Sequence, residues 1–392
     1  METALVINPG SSSRKYALYK DGLQVLEFCF ENTDTGYEVC SHKQGEQQVC
    51  NAISQEGFGS AFTKVADAVK KYLEAEKMTL NRIAIRVVAP GTEFQKHVVI
   101  DDVFVSKLQA KEVSVPLHIP AILKELNEAK KLFPDTPLVA VSDSAFHTTM
   151  PAFVREYSLS KSDAEAYDIH RFGYHGLSVE SVVHRVHGVI GRDPERMVVC
   201  HVGNGVSVTA VKDGKSIDTT MGYAPVSGVP MGTRAADLDP SAMLELMRVR
   251  NMRPAEAAVY VHTNGGLAGL AGDGDIRRLL DRKSHGDTAA TQALDLFAYH
   301  IQKAVAGATV ALGGFDVLVL TGTAAIRSVE LRKLLTDKLS HFGIGIDEDR
   351  NDLLVGKEGV ISLQRSMVKV VVMRTDEMGE MQRIALQTDV KK

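Results

Sequence analysis

Tryptophan is absent from this 392-residue chain, and that absence carries no functional message. Other absences exclude more. No apolar run is long enough to cross a bilayer, so a membrane-spanning class is not expected. The N-terminus has no basic stretch followed by an apolar one, so no secretory signal is read and a cytoplasmic protein is expected. Like charges form no block and the formal net charge is only −4, which argues against a nucleic-acid partner. Cys29, Cys40, Cys50 and Cys200 contain no CxxC pair. They read as reduced thiols rather than a disulfide framework or a zinc site. His184 and His187 lie three apart without a third ligand nearby. The P-loop pattern GxxxxGK[ST] is missing, and so is a Rossmann GxGxxG in its proper context.

What is present is a normal globular balance, 44% hydrophobic and 24% charged residues. The length exceeds what one core usually supports, so two domains are expected. The most informative segment runs from Ala4 to Tyr19. An apolar stretch ends at Asn8, a turn with Gly10 and three successive hydroxyls follows, and Lys15 opens a second apolar stretch that ends in Lys20-Asp21-Gly22. That reads as strand, polar turn, strand. Backbone N–H groups, hydroxyls and a cation in one small turn suit phosphate oxygens, although an ordinary surface hairpin reads the same way. Some two hundred residues later the arrangement returns. Met197 to Lys212 is strand, Gly/Asn turn (Gly203-Asn204-Gly205) and strand, followed again by Lys212-Asp213-Gly214. Two such units imply a duplicated architecture, and a pair of such turns suits a polyphosphate.

Along the rest of the chain, residues 31–56 read as polar, irregular strands and loops. Phe58 to Glu76 has the spacing of one amphipathic helix. Ile83 to Pro90 reads as a buried strand, Pro120 to Phe133 as a helix and Pro137 to Ser142 as a strand. This alternation favours an α/β sheet. Residues 150–195 form a His-rich connection with helical segments. Helices are expected over 240–252, 254–262 and 287–312, a strand ending at Thr321, a last strand over 368–373 and a last helix over 377–386.

Several residues stand just past strand ends. Arg86 lies inside an apolar run, where a guanidinium is costly unless an anion meets it, either a structural carboxylate or a bound phosphate or carboxylate. Arg234 sits at the tip of a Gly-containing loop with Asp237 and Asp239 behind it. Two arginines on rigid elements suit phosphoryl transfer. His175, in an aromatic-flanked turn, reads equally as structural or catalytic. Asp143 directly follows a strand, a favoured place for a functional carboxylate in α/β proteins.

Taken together, the chain resembles the acetate and propionate kinase family over nearly its whole length. The carriers are Ile7 to Lys15, Arg86-Val-Val, Pro116-Leu-His118, Asp143 to Pro151, Phe172-Gly-Tyr-His-Gly176, His201 to Gly205, Met231 to Pro240 and Thr375-Asp-Glu377. The resemblance implies an α/β, duplicated actin-like two-domain fold of the sugar-kinase and heat-shock-ATPase type, ribonuclease H-like in each half. It implies an acyl and phosphate domain over 1–148 plus 375–392 and a nucleotide-binding, dimerisation domain over 149–374. The implied activity is reversible Mg²⁺-dependent transfer from ATP to acetate or another short-chain carboxylate, giving an acyl phosphate and ADP in a homodimer. By the same resemblance Asn8 and Glu377 would hold Mg²⁺ through water. Arg86 and Arg234 would bind the carboxylate and the transferring phosphoryl, helped by His118 and His175, with Asp143 orienting the site. Ser11, Ser13, Lys15, His201, Gly203, Asn204 and Gly205 would cradle donor phosphates, and Asp275, Arg277 and Gly322 the nucleoside. Val88, Leu117, Tyr174 and Pro225 would line the acyl pocket, Tyr174 standing where Phe is usual.

Two segments depart from the family pattern. Ile85 precedes Arg86 and Ala89-Pro-Gly-Thr-Glu93 follows, in place of flanking histidines and a Gly-Gly-Glu. The adenosine turn, usually Thr-Gly-Gly-Ile-Gly-Glu-Asn, reads Thr321-Gly-Thr-Ala-Ala-Ile-Arg327. The altered turn motivates a second reading, the same chemistry with pyrophosphate as donor; a third, from another class, is a non-catalytic relative that binds a phosphorylated metabolite or another protein. Acetate and propionate differ by one methylene, worth about 1–3 kcal/mol in an apolar pocket, so pocket residue types leave the acid open.

Overall fold

A computed structural model describes residues 2–10, 13–33 and 36–389. Two compact units share the chain. The first comprises residues up to 89, 93–143 and those from 377 onward, and the second comprises 90–92 and 144–376.

In the first unit the strands are β1 (Thr3–Pro9), β2 (Ser13–Lys20), β3 (Leu23–Thr33), β4 (Gly36–Lys43), β5 (Val49–Ile53), β6 (Arg82–Val87), β7 (Val98–Val99) and β8 (Leu138–Ser142). They form one sheet in the order β5-β4-β3-β2-β1-β6-β8-β7. β1 to β5 are antiparallel neighbours, whereas β6 runs parallel to β1 and β8 parallel to β6. The central parallel strands are apolar without alternation because both their faces are covered; Ala4 to Ile7, Ile83 to Ile85 and Val139 are fully buried.

The second unit holds β9 (Arg196–Val202), β10 (Val206–Lys212), β11 (Lys215–Thr219), β12 (Val317–Thr321), β13 (Gly359–Val360) and β14 (Lys369–Val372), in the order β11-β10-β9-β12-β14-β13. The logic is that of the first sheet. Antiparallel β9, β10 and β11 are followed by β12 parallel to β9, β14 parallel to β12, and a short antiparallel edge. The repeated turns match in backbone as well. Asp21 and Asp213 both have φ of 48°, with Gly22 at 81° and Gly214 at 73°, the paired positive values of a tight hairpin turn. This is the duplicated actin-like arrangement. The helix Gly176–Ile190 buries Val179, Val182 and Val186 against Met197, Val199 and Val319 of the sheet.

Three expectations need correction. The described residues over 31–56 hold regular strands, because β3, β4 and β5 pair as an antiparallel ribbon. The cysteines are not all free. Cys40 lies opposite Cys50 in the β4–β5 register, and the two form a disulfide with Cα atoms 4.0 Å apart. Strand register creates that pairing, and sequence spacing does not announce it. The helix expected over 58–76 is also split into Gln55–Gly59 and Ala61–Ala75, each preceded by a serine. The Ser54 hydroxyl accepts from Gly57 N and caps the first. No helix among the described residues is long and apolar enough to cross a membrane.

Candidate active site

In the first unit four residues from four distant stretches meet. Asn8 comes near the end of β1, Arg86 from β6, Asp143 from the position after β8, and Glu377 from the first turn of the helix Glu377–Gln387. Arg86 Nη2 lies 3.0 Å from Asp143 Oδ1, and Arg86 Nη1 lies 3.0 Å from Glu377 Oε2. Asn8 Nδ2 donates to Glu377 Oε2 at 3.1 Å, and Asn8 Oδ1 accepts from Arg86 Nη1 at 3.4 Å. The Arg86 and Asp143 side chains are 15% and 1% exposed. Burial works against the charge on Arg86, but Asp143 and Glu377 outweigh it and raise its pKa above the ordinary arginine range. Arg86 Nε is buried with no hydrogen-bond partner among the described atoms. A buried guanidinium N–H left in this way suits one more anionic acceptor.

The amide and carboxylate oxygens of Asn8 and Glu377 are hard donors, the type Mg²⁺ selects. Glu377 is already engaged by Asn8 and Arg86, which suits a metal held through its waters. Elsewhere in this unit, Gly10 N donates to Ser13 O at 2.9 Å, closing the β1–β2 turn. Lys15 is exposed and pairs in register with Asn8. Ser11 lies outside the described residues. His118 stands at the N-terminus of the helix Ile119–Leu132, directly after half-buried Leu117, and Val88 is buried one residue past β6.

The second unit gathers another set. His175 has φ of 62° and stands at the N-terminus of the helix Gly176–Ile190. Positive φ is unfavourable for a residue other than glycine, and such strain collects at functional positions. Its Nδ1 lies 2.9 Å from Ser207 Oγ, and its ring stacks on His201 with centroids 4.3 Å apart. Gly205 marks where these groups crowd together. A Cβ at that position would come within 3.0 Å of His175 Nε2 and 3.2 Å of Arg234 Nη1. The histidine and the arginine therefore converge on the spot that the missing side chain leaves open. Arg234 Nη1 donates to Pro225 O at 2.7 Å. Tyr174 is fully buried and its hydroxyl donates to Tyr223 O at 2.6 Å, so the extra oxygen relative to Phe is consumed by the fold.

The β9–β10 turn holds Gly203, whose N–H donates to Gly205 O, and exposed Asn204. Gly322 sits beside it. Its φ is 86°, and a Cβ would stand 2.5 Å from Val202 O. The altered segment after it is a short helix, Thr323–Arg327, with Thr323 and Arg327 exposed. Asp275 caps the helix Ile276–Ser284 and pairs with Arg277 at 2.5 Å; the preceding Gly274 abuts Gly232 of the Arg234 loop.

Sequence reasoning missed three supports. Ser207 orients His175. His262 packs beneath the Arg234 loop, where Thr233 Oγ1 donates to its carbonyl, and burial lowers its pKa. Fully buried Arg332 donates to Ala325 O, Ile326 O and both oxygens of Asn351, clamping the helix Thr323–Arg327. Only Ser207 left a trace, two residues past the Gly203-Asn204-Gly205 turn. The other two are fixed by packing.

A family model described as the acetokinase family matches residues 3–383. The chain belongs to the acetokinase family. Membership makes it a phosphotransferase with a carboxyl group as acceptor. This acetokinase is 32% identical to an acetate kinase of Acetivibrio thermocellus, over 97% of this chain and 98% of that one. It is 34% identical to an acetate kinase of Thermoanaerobacterium thermosaccharolyticum, over 95% of both chains. Among solved structures it is similar to a propionate kinase from Francisella tularensis, with TM-score 0.86 and 29% identity over 99% of this chain and 100% of that one. It is similar as well to Porphyromonas gingivalis acetate kinase, with TM-score 0.80 and 30% identity over 98% and 99%.

Proposed function

We propose that this acetokinase transfers the γ-phosphoryl of ATP reversibly to acetate or another short-chain carboxylate, with Mg²⁺, in the cytoplasm and as a homodimer. The observation that carries the reading is Arg86, a buried guanidinium ringed by Asn8, Asp143 and Glu377 with one N–H unspent. The acceptor carboxylate is already a nucleophile, so the site needs no strong base. It needs charge neutralisation and alignment. Arg86 binds the carboxylate, and Asp143 fixes the guanidinium plane. Asn8 and Glu377 hold the metal, which supplies charge neutralisation at the donor phosphates when bound. In the second unit Arg234 and His175, with Ser207 behind it, meet the transferring phosphoryl over Gly205. Lys15, Ser13, His201, Gly203 and Asn204 hold donor phosphates. Val88, Leu117, Tyr174 and Pro225 make the acyl pocket.

Support for the dimer is the helix Pro240–Arg250, which buries no residue and exposes Leu244 and Val249. Exposed apolar side chains on a helix that buries none of its residues suit cover by a second copy of the chain. Pyrophosphate as donor is the second reading, favoured by the glycine-poor helix Thr323–Arg327 beside the phosphate turn. A donor-by-acid matrix separates the two. Acyl phosphate trapped as hydroxamate is expected with ATP and acetate or propionate. Product with pyrophosphate alone replaces the first reading with the second, and no product with any pair overturns both.

A further inference from the structure

One row of the first sheet crosses five strands. Asn8 pairs with Lys15, Lys15 with Cys29, Cys29 with Cys40, and Cys40 with Cys50. Residues opposite one another on antiparallel strands share a face, so three sulfurs lie side by side on the face that carries Lys15. Exposure declines inward, from exposed Cys50 to half-buried Cys40 and Cys29. Cys40 and Cys50 are joined, and Cys29 is a free thiol.

We infer that Cys29, Cys40 and Cys50 form a thiol–disulfide relay in which Cys40 is the shared sulfur and Cys29 the inner partner. A strand residue directs its N–H and C=O to one neighbour only. The close Cys40–Cys50 pair, with Cα atoms 4.0 Å apart, is therefore the non-hydrogen-bonded one, and Cys29–Cys40 is the hydrogen-bonded one. Such a pair has Cα atoms about 5.5 Å apart, inside the range a disulfide spans. Cys29 and Cys50 are two strand spacings apart, about 10 Å, and cannot bond directly.

The exchange balances without an added oxidant. Cys29 Sγ donates to Glu31 Oε1 at 3.3 Å; the thiol gives its proton to solvent hydroxide as Cys29 Sγ attacks Cys40 Sγ. The Cys40–Cys50 bond breaks, and the departing Cys50 thiolate takes a proton from water. Burial and then Glu31 push the Cys29 thiol up to about 12, while Lys15 pulls the other way. The resting bond is the outer one, and the inner one forms when Cys50 is withdrawn. First formation of the outer bond consumes a low-molecular-weight disulfide such as oxidised glutathione, which leaves as two thiols. At its inner end the row reaches Lys15. Resting on the proposed function, an inner disulfide alters the phosphate turn and hence donor binding.

The test uses the full chain, equilibrated with oxidised or reduced glutathione, then alkylated, digested and mapped by mass spectrometry. The wild type is expected to give the 40–50 linked peptide, and Cys50→Ser the 29–40 linked peptide under the same oxidising buffer. Cys40→Ser should give no intramolecular link. Absence of the 29–40 peptide from folded Cys50→Ser, with its far-UV circular dichroism unchanged, overturns the relay. So does a 29–50 peptide in Cys40→Ser. These readouts do not depend on which reaction the enzyme catalyses. Donor KM of oxidised against reduced Cys50→Ser tests the link to the site. A threefold or larger change supports the link, and an unchanged KM overturns it.

Discussion

Gly205 is the residue on which the proposed phosphoryl contact in the second unit turns. Any side chain there would occupy the point that His175 Nε2 and Arg234 Nη1 approach. With that point open, a phosphoryl oxygen placed there meets both groups. Arg234 should then act mainly in the transition state, where charge spreads over the equatorial oxygens. Arg234→Ala is expected to lower kcat by about 10³–10⁵, the loss typical of a transition-state arginine, with little change in donor KM. Steady-state kinetics check this, and unchanged turnover would refute the role. Arg86 and Arg234 were both legible in the sequence, because an arginine in an apolar run or at a glycine loop tip stands out. Arg332 was not legible, since its meaning lies in the carbonyls it meets. Nor was Ser207, whose hydroxyl matters only because the hairpin brings it to His175 Nδ1.

At the scale of elements, the helix Ile119–Leu132 carries a buried ionisable group onto the sheet. Glu125 is 1% exposed; Tyr16 Oη donates to it at 3.0 Å, and Arg14 lies 3.6 Å away. Burial pushes its carboxyl from 4.5 up to about 7, against the opposing pull of Tyr16 and Arg14. Between those two pH values the native carboxyl keeps a proton that the unfolded one has released. Stability therefore falls as pH rises through that window, by on the order of 3 kcal/mol in all. Glu125→Gln should remove this part of the slope, leaving the variant relatively more stable above pH 7. Thermal unfolding of both proteins from pH 4.5 to 7.5 checks it, and parallel curves would refute it. The strands and long helices around this contact were readable from period alone. Residues 1–30 were readable as strands; missed was the regularity of β4 and β5 beyond them. Their mostly polar residues give little apolar alternation, and they are held by backbone pairing and the Cys40–Cys50 bond.

For the whole molecule, the second unit's helices present apolar surface to solvent. Leu244 is 65% exposed and Leu270 50%. For the proposed dimer, Leu244→Arg is expected to raise the dissociation constant at least tenfold, a change of about 1.4 kcal/mol. Light scattering over a dilution series reads this, and a dimer as tight as wild type would refute the assigned face.

What the sequence by itself determined was the repeat and its chemistry. Two strand–turn–strand units ending in Lys-Asp-Gly, together with the run of family motifs, imply a duplicated sheet and a phosphoryl-transferring site. Both are local patterns, and local patterns survive in a one-dimensional string. Tertiary structure decided what depends on long-range register. It set Glu377 beside Asn8 and Arg86, aimed His175 and Arg234 at the gap over Gly205, and lined three cysteines along one row ending at Lys15. Those contacts join residues tens to hundreds of positions apart, and pairing of whole strands fixes them rather than spacing along the chain.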